Sequence, residues 1–186
     1  MKLVIQMLVT LSVIGIVSGA LLSELSGWAK PKIEAHRKAA TEKAIFLVQP
    51  EADKYKRIES VKFEIYEVYD HEMNIGYALP YSGSGFQGNI RLMVGLDSDL
   101  EMVTGLRVLE QVETPGLGTK VTEKFFTDQF YYLLATPSIE CVKGAKPSKD
   151  NEIEAITGAT ISSKAIVRII NNGMSKLRSL RKEGKL

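Results

Sequence analysis

Cysteine is nearly missing from this chain of 186 residues, where Cys141 stands alone. No disulfide can close within the chain, and no cysteine cluster is present to hold zinc or an iron–sulfur centre. A single unpaired cysteine is expected to serve as a small buried hydrophobe. Histidine is almost as scarce: His36 and His71 lie far apart without ligand spacing, so neither a metal centre nor a catalytic triad is expected. Charge of one sign is lacking too. A net charge of +2 and a pI near 8.5 make no case for nucleic acid. The chain has no internal repeat and no low-complexity tract, and no set of side chains reads as general acid, base or nucleophile.

Charge is also absent from residues 3–23, an apolar run carrying Gly15 and Gly19. About 20 helical residues span the roughly 30 Å of a bilayer's hydrocarbon core. A signal peptide is the competing reading, with Lys2 as its basic start and Ser18-Gly19-Ala20 as a small-residue cleavage site. The run is longer than an ordinary signal core, which favours an uncleaved, single-pass anchor. No cysteine follows the run, so it is not a lipoprotein signal. Lys30, Lys32, Arg37, Lys38 and Lys43 follow it, and a simple positive-inside count puts the remainder in the cytoplasm. That count applies to short loops, and a long domain translocates regardless of its charge.

The densest signal is Thr157-Gly158-Ala159-Thr160, followed by Ile161-Ser162-Ser163-Lys164. Ile166, Ile169, Ile170, Met174, Leu177 and Leu180 then recur at helical spacing and predict an amphipathic helix. Ser162 or Ser163 is expected to cap it. A helix start favours negative charge through its free N–H groups and its dipole. Thr160 thus sits where a phosphate is stabilised, with Gly158 and Ala159 permitting close backbone approach. Lys164, one turn further on, is expected to offset phosphate charge, with Lys120 as the weaker choice. The basic stretch from Arg178 to Lys185 reads as a solvated helix end with cations near the C-terminal dipole, and as a weaker candidate for anionic lipid headgroups.

Upstream, Glu113-Thr114-Pro115-Gly116-Leu117-Gly118-Thr119-Lys120 reads as a turn, and residues 122–134 as a helix. Residues 61–65, 90–96 and 102–112 alternate like strands, with a turn at Asp97-Ser98-Asp99. Gly83-Ser84-Gly85-Phe86-Gln87-Gly88 spells G-x-G-x-x-G, but an alternating strand follows instead of a helix, so it reads as a hairpin connection. Pro31 with Ile33, Ala40, Ala44 and Leu47 predicts a connecting helix starting near the proline. The whole reads as an α+β protein: an anchor over 1–25, a connecting helix over 26–58 and one domain over 59–186, with an antiparallel sheet and flanking helices. Tyr66, Tyr69, Tyr77, Tyr81, Tyr131 and Tyr132 read as core or rim residues, any one of which could stack on a planar ligand.

Thr157-Gly158-Ala159-Thr160 resembles the flavin-attachment motif of the FMN-binding domain shared by the G subunit of the Rnf complex and the C subunit of the sodium-translocating NADH:quinone reductase. Glu113 to Gly118 resembles the Glu-Thr-Pro-Gly-Leu-Gly segment of the same family, in the same order along the chain. The similarity runs from about residue 76 to 176, and the chain length suits the Rnf G subunit better than the longer reductase C subunit. The resemblance implies FMN joined through a phosphoester to Thr160 by a flavin transferase, which makes the chain a phosphoprotein. It also implies that Glu113, Thr114, Leu117 and Gly118 line the flavin ring. The family's usual aspartate six residues before the threonine is Glu154 here, a departure that bears on how well the transferase acts. By the same resemblance the chain is an electron carrier in the bacterial inner membrane, with its domain extracytoplasmic. Other subunits would be its partners, in a complex coupling electron transfer between ferredoxin and NAD to ion movement. The alternatives are the reductase C subunit itself and a membrane-anchored FMN-binding sensor.

Overall fold

The computed structural model describes residues 2–61 and 63–186. It divides into two compact units, one ending at Ala40 and the other running from Thr41 to Leu186. The first unit is helical. Helix α1, Lys2–Val48, is continuous through Pro31 and contributes its last turns to the second unit. A proline costs a helix one backbone hydrogen bond and bends it, but need not end it. The expectation of a separate helix starting near Pro31 therefore fails. The most apolar 18-residue window of α1 has a mean hydropathy of 2.2 and is wholly exposed, so α1 is long and apolar enough to cross a membrane. At 1.5 Å per residue α1 is about 70 Å long, more than twice the hydrocarbon thickness.

In the second unit, strands β1 (Lys54–Arg57), β2 (Tyr66–Asp70), β3 (Met73–Ser84), β4 (Asn89–Asp97), β5 (Met102–Glu110) and β6 (Leu133–Leu134) form one antiparallel sheet in sequence order. Two short parallel strands, β7 (Glu140–Val142) and β8 (Glu152–Glu154), stand apart from it. Between β5 and β6 the chain makes 3-10 turns at Gly118–Thr122 and Asp128–Phe130 around a single α-turn, α2 (Lys124–Thr127). The long helix expected over 122–134 is thus broken, because Phe126 and Phe130 both point into the core at a spacing of one turn and the chain then leaves to pair as β6. Of the strand expected over 61–65, residue 62 lies outside the described residues, and Val61, Phe63, Glu64 and Ile65 are not in a strand: β2 begins at Tyr66.

The period-two pattern of the strands decides the layers. Leu79 on β3 and Ile90, Leu92, Val94 and Leu96 on β4 face the C-terminal helix α3, Thr160–Lys182. From α3 they meet Ile166, Ile169, Ile170, Met174 and Leu177, all nearly inaccessible to solvent. Each such side chain stabilises the fold by about 1.5–3 kcal/mol. The opposite face carries Val68, Ala78 and Met93, which pack under Ala44, Ile45 and Val48 at the end of α1. Gly95 and Gly105 are register partners on this face. Together they leave a dent that receives Val48, whose carbonyl accepts the Thr104 hydroxyl at 3.0 Å. Gln49 closes the helix end by donating to Leu96 O at 2.8 Å.

The basic C-terminal stretch is less solvated than the sequence suggests. The Arg178 guanidinium donates to the carbonyls of Leu100, Ala135 and Pro137, tying α3 to two loops.

Candidate functional site

Four loops and the first turn of α3 meet at one end of the sheet around a cleft of about 560 Å3. That volume is within the range of small-molecule and cofactor sites, about 300–1,000 Å3. Phe86 comes from the β3–β4 hairpin. Thr114, Leu117 and Gly118 come from the loop after β5, and Lys143 and Gly144 from the segment after β7. Ala155, Thr157, Gly158 and Ala159 lead from β8 into α3, which contributes Thr160, Ile161 and Ser162.

The connection from β8 to α3 is tight. Gly158 has φ +85°, a left-handed conformation that glycine adopts without strain. Thr160 is the first residue of α3 and follows Ala159, which offers no capping side chain. The first amide bonded back along the helix is that of Ser163, to Ala159 O at 2.9 Å. The amides of Thr160, Ile161 and Ser162 precede it and have no helical carbonyl to bond, which is the arrangement that favours an anion.

Neither Ser162 nor Ser163 is the N-cap expected from sequence, because the helix starts at Thr160 with Ala159 at the cap position and both hydroxyls fall inside its first turn. The Ser163 hydroxyl donates to Ala159 O and accepts from Ile156 N–H, both at 3.0 Å. The Ser162 hydroxyl donates to Glu113 Oε2 in a short hydrogen bond.

Seven of the sequence-selected residues line the cleft: Thr114, Leu117, Gly118, Thr157, Gly158, Ala159 and Thr160. Two do not. Glu113 is 3% exposed and lies behind the lining. Its Oε1 accepts from the amides of Phe86 at 2.9 Å and Gln87 at 3.1 Å. Lys164 points to a separate recess beside Cys141, Arg168 and Asn171, and Lys120 is not on the cleft either. Among the described residues the cation in the cleft wall is Lys143, which sequence reasoning misses because a lysine before a loop glycine is not distinctive. Among the described residues no tyrosine lines the cleft, and the aromatic there is Phe86, 60% exposed, inside the stretch that mimics a dinucleotide fingerprint. That stretch is a hairpin loop, closed by Gly85 N–H to Gly88 O at 2.6 Å.

The donor set fits FMN. Free helix amides and Lys143 suit a phosphate. Phe86, Leu117 and Ile161, all exposed at the cleft, suit an apolar planar ring. Among the described residues no group of carboxylates, histidines and cysteines is arranged to hold a metal.

The segment feeding the cleft is held by two polar clasps. Gln129 pairs with the backbone of Glu154, accepting its N–H at 2.7 Å and donating to its carbonyl at 3.3 Å, while the Glu154 side chain is exposed. Glu152 Oε2 accepts from Ser148 N–H at 2.8 Å, Ser148 Oγ at 3.0 Å and Lys149 N–H at 3.3 Å. The Ser148 amide is the main cause holding the Glu152 carboxyl down at about 2, with Lys149 and the Ser148 hydroxyl adding to it. A folded-state value below the unfolded one, about 4.3, means that this stabilisation is present above that value. It drains away as pH falls from about 4 toward 2. Thermal melts of Glu152→Gln should therefore lie below wild type at pH 7 and converge with it near pH 2; curves that stay parallel would refute the assignment. Half-burial pushes the Cys141 thiol up, opposed by Lys164, so the expected inert hydrophobe is half-exposed but not activated.

Residues 85–175 match the model of the FMN-binding domain family. The chain is 35% identical over 123 residues to the G subunit of the Na(+)-translocating ferredoxin:NAD(+) oxidoreductase complex of Acetobacterium woodii, covering 64% of this chain and 58% of that protein. It is 28% identical over 182 residues to the G subunit of the ion-translocating oxidoreductase complex of Methanosarcina acetivorans, covering 93% and 94%. The chain thus spans less than two thirds of the first of these relatives and nearly all of the second. The crystal structure of the C subunit of Na(+)-translocating NADH-quinone reductase from Parabacteroides distasonis superposes with a TM-score of 0.53 at 24% identity, over 61% of this chain and 59% of that one, which shows a common fold.

Proposed function

We propose that this protein is a membrane-anchored electron carrier with FMN ester-linked to Thr160, a reading supported by the match of residues 85–175 to the FMN-binding domain family and by the similarity of the chain to G subunits of ion-translocating oxidoreductase complexes. The observation that carries the reading is the position of Thr160: first residue of α3, on the cleft, beside helix amides that lack intrahelical partners. The phosphate would be held by those amides and by Lys143, and the ring by Phe86, Leu117 and Ile161. Thr114, Thr157 and the small residues Gly118, Gly158 and Ala159 shape the walls between them. The flavin supplies the redox chemistry, and the protein supplies position and electrostatics.

Helix α1 would hold the domain at the membrane, and an extracytoplasmic domain explains the covalent link, since FMN lost there is not readily replaced. A flavin transferase would load it, reading the exposed segment around Glu154. Its redox partners would be other subunits of an Rnf-type complex, and that complex, not this chain, would couple ferredoxin and NAD to ion movement. The alignment with a G subunit over 93% of the chain favours that complex over the quinone reductase.

The test is to purify the chain from detergent-solubilised membranes of its native host and run it on a denaturing gel. A fluorescent flavin band is expected at about the chain mass of 20.6 kDa, lost in a host without the transferase. A dark band from a host with active transferase would overturn the covalent assignment.

A further inference from the structure

A buried carboxylate is costly unless both of its oxygens are hydrogen-bonded. Glu113 meets that demand with donors from two other segments: the Phe86 and Gln87 amides of the β3–β4 hairpin on Oε1, and the Ser162 hydroxyl of α3 on Oε2. Its own loop supplies Thr114, Leu117 and Gly118 to the cleft. Gly118 packs directly on it: a β-carbon there would lie 2.8 Å from Glu113 Cβ and 3.0 Å from both Glu113 Oε2 and Ser162 Oγ. Three walls of the cleft thus converge on one side chain that does not itself line the cleft.

Resting on the flavin reading above, we propose that Glu113 is the positioning residue of the site. Its carboxylate locks the hairpin, the loop after β5 and the start of α3 in one register, and so sets the α3 amides relative to the ring-facing wall at Phe86. An ionised carboxylate accepts at both oxygens, as this junction requires. Glutamine has the same shape but presents an NH2 group at one end. If its oxygen keeps the hairpin amides, its nitrogen faces Ser162, whose hydroxyl must turn round to accept. Glu113→Gln therefore weakens the lock on the α3 side, replacing a charge-assisted bond with a neutral one of reversed direction, and Ser162→Ala removes the same bond altogether.

The first arm of the test needs no flavin. In full-length Thr160→Val protein, adding Glu113→Ala should speed amide exchange of Phe86, Gln87 and Ser163 about tenfold or more, as expected for loss of a charge-assisted bond. Amides of β4 in the sheet centre should be unchanged. Uniform acceleration across β4, or no change at these three amides, would overturn the lock.

The second arm uses flavin-loaded protein and reads the reduction potential of the bound flavin in Glu113→Gln, Ser162→Ala and the double variant. Each single change should shift the potential, and the double variant should match Ser162→Ala alone, because both changes act on one bond. Additive shifts, or a lowered Tm with the wild-type potential, would reduce Glu113 to a stability role. Wild type without flavin would instead sink the carrier reading, while the exchange arm still decides the lock.

Discussion

A Thr160→Val protein should show no flavin fluorescence above background on a denaturing gel, and it should remain folded. Valine keeps the branched shape of threonine and removes only the hydroxyl that would form the ester. Thr160 is partly exposed at the first position of α3 and makes no cap, so little stability is at stake. A change within about 0.5 kcal/mol is expected, as for substitutions outside the core. Thr160→Ser keeps a hydroxyl at the same place and should retain flavin, at a reduced extent. Flavin that survives in the valine variant would move the attachment elsewhere and remove the central claim.

Gly95→Ala should loosen the face of the sheet that receives the end of α1. The added carbon would lie 2.5 Å from Val48 O, inside van der Waals contact, and closer still to Thr104 Oγ1. Val48 O belongs to the backbone at the end of α1 and cannot rotate away as a side chain could. Relief requires the helix end to lift from the sheet, uncovering Val68, Ala78 and Met93. Overpacking of this kind costs about 1–3 kcal/mol, and the upper part of that range is expected here. For a domain of this size that lowers Tm by roughly 5–10 °C. The measurement is a thermal melt of the detergent-solubilised protein, and a Tm within a degree of wild type would show that the dent yields freely.

What can be read from the chain depends on how local each signal is. The α3 face from Ile166 to Leu177, the strand at 90–96 and the hairpin character of Gly83 to Gly88 follow from near-neighbour spacing, and the structure repeats them. Strand β3 escapes such a reading, because Gly76, Pro80 and a serine–glycine end disguise a strand that is paired on both sides. Strands β1 and β6 are short, and β6 exists only by pairing with Met102 and Val103. At the cleft, the two motif segments stand out by their letters. Phe86 and Lys143 do not, since nothing near them in sequence reveals that their loops meet α3. Helical spacing alone favours Lys164, but one turn of α3 carries it away from the cleft toward Cys141.

The in-order sheet also has a temporal consequence. Strands β1 to β5 pair each with the next, so most of the sheet can form by short-range hairpin closure as the chain emerges. The cleft cannot form so early. Its hairpin meets Glu113 across more than two dozen residues, and Glu113 meets Ser162 across 49. Until α3 docks, Thr160 is a hydroxyl on a loose chain with no helix amides gathered behind it. With the proposed attachment at Thr160, loading of the cofactor would follow folding, and a chain carrying flavin there would by that fact have completed its last long-range contact.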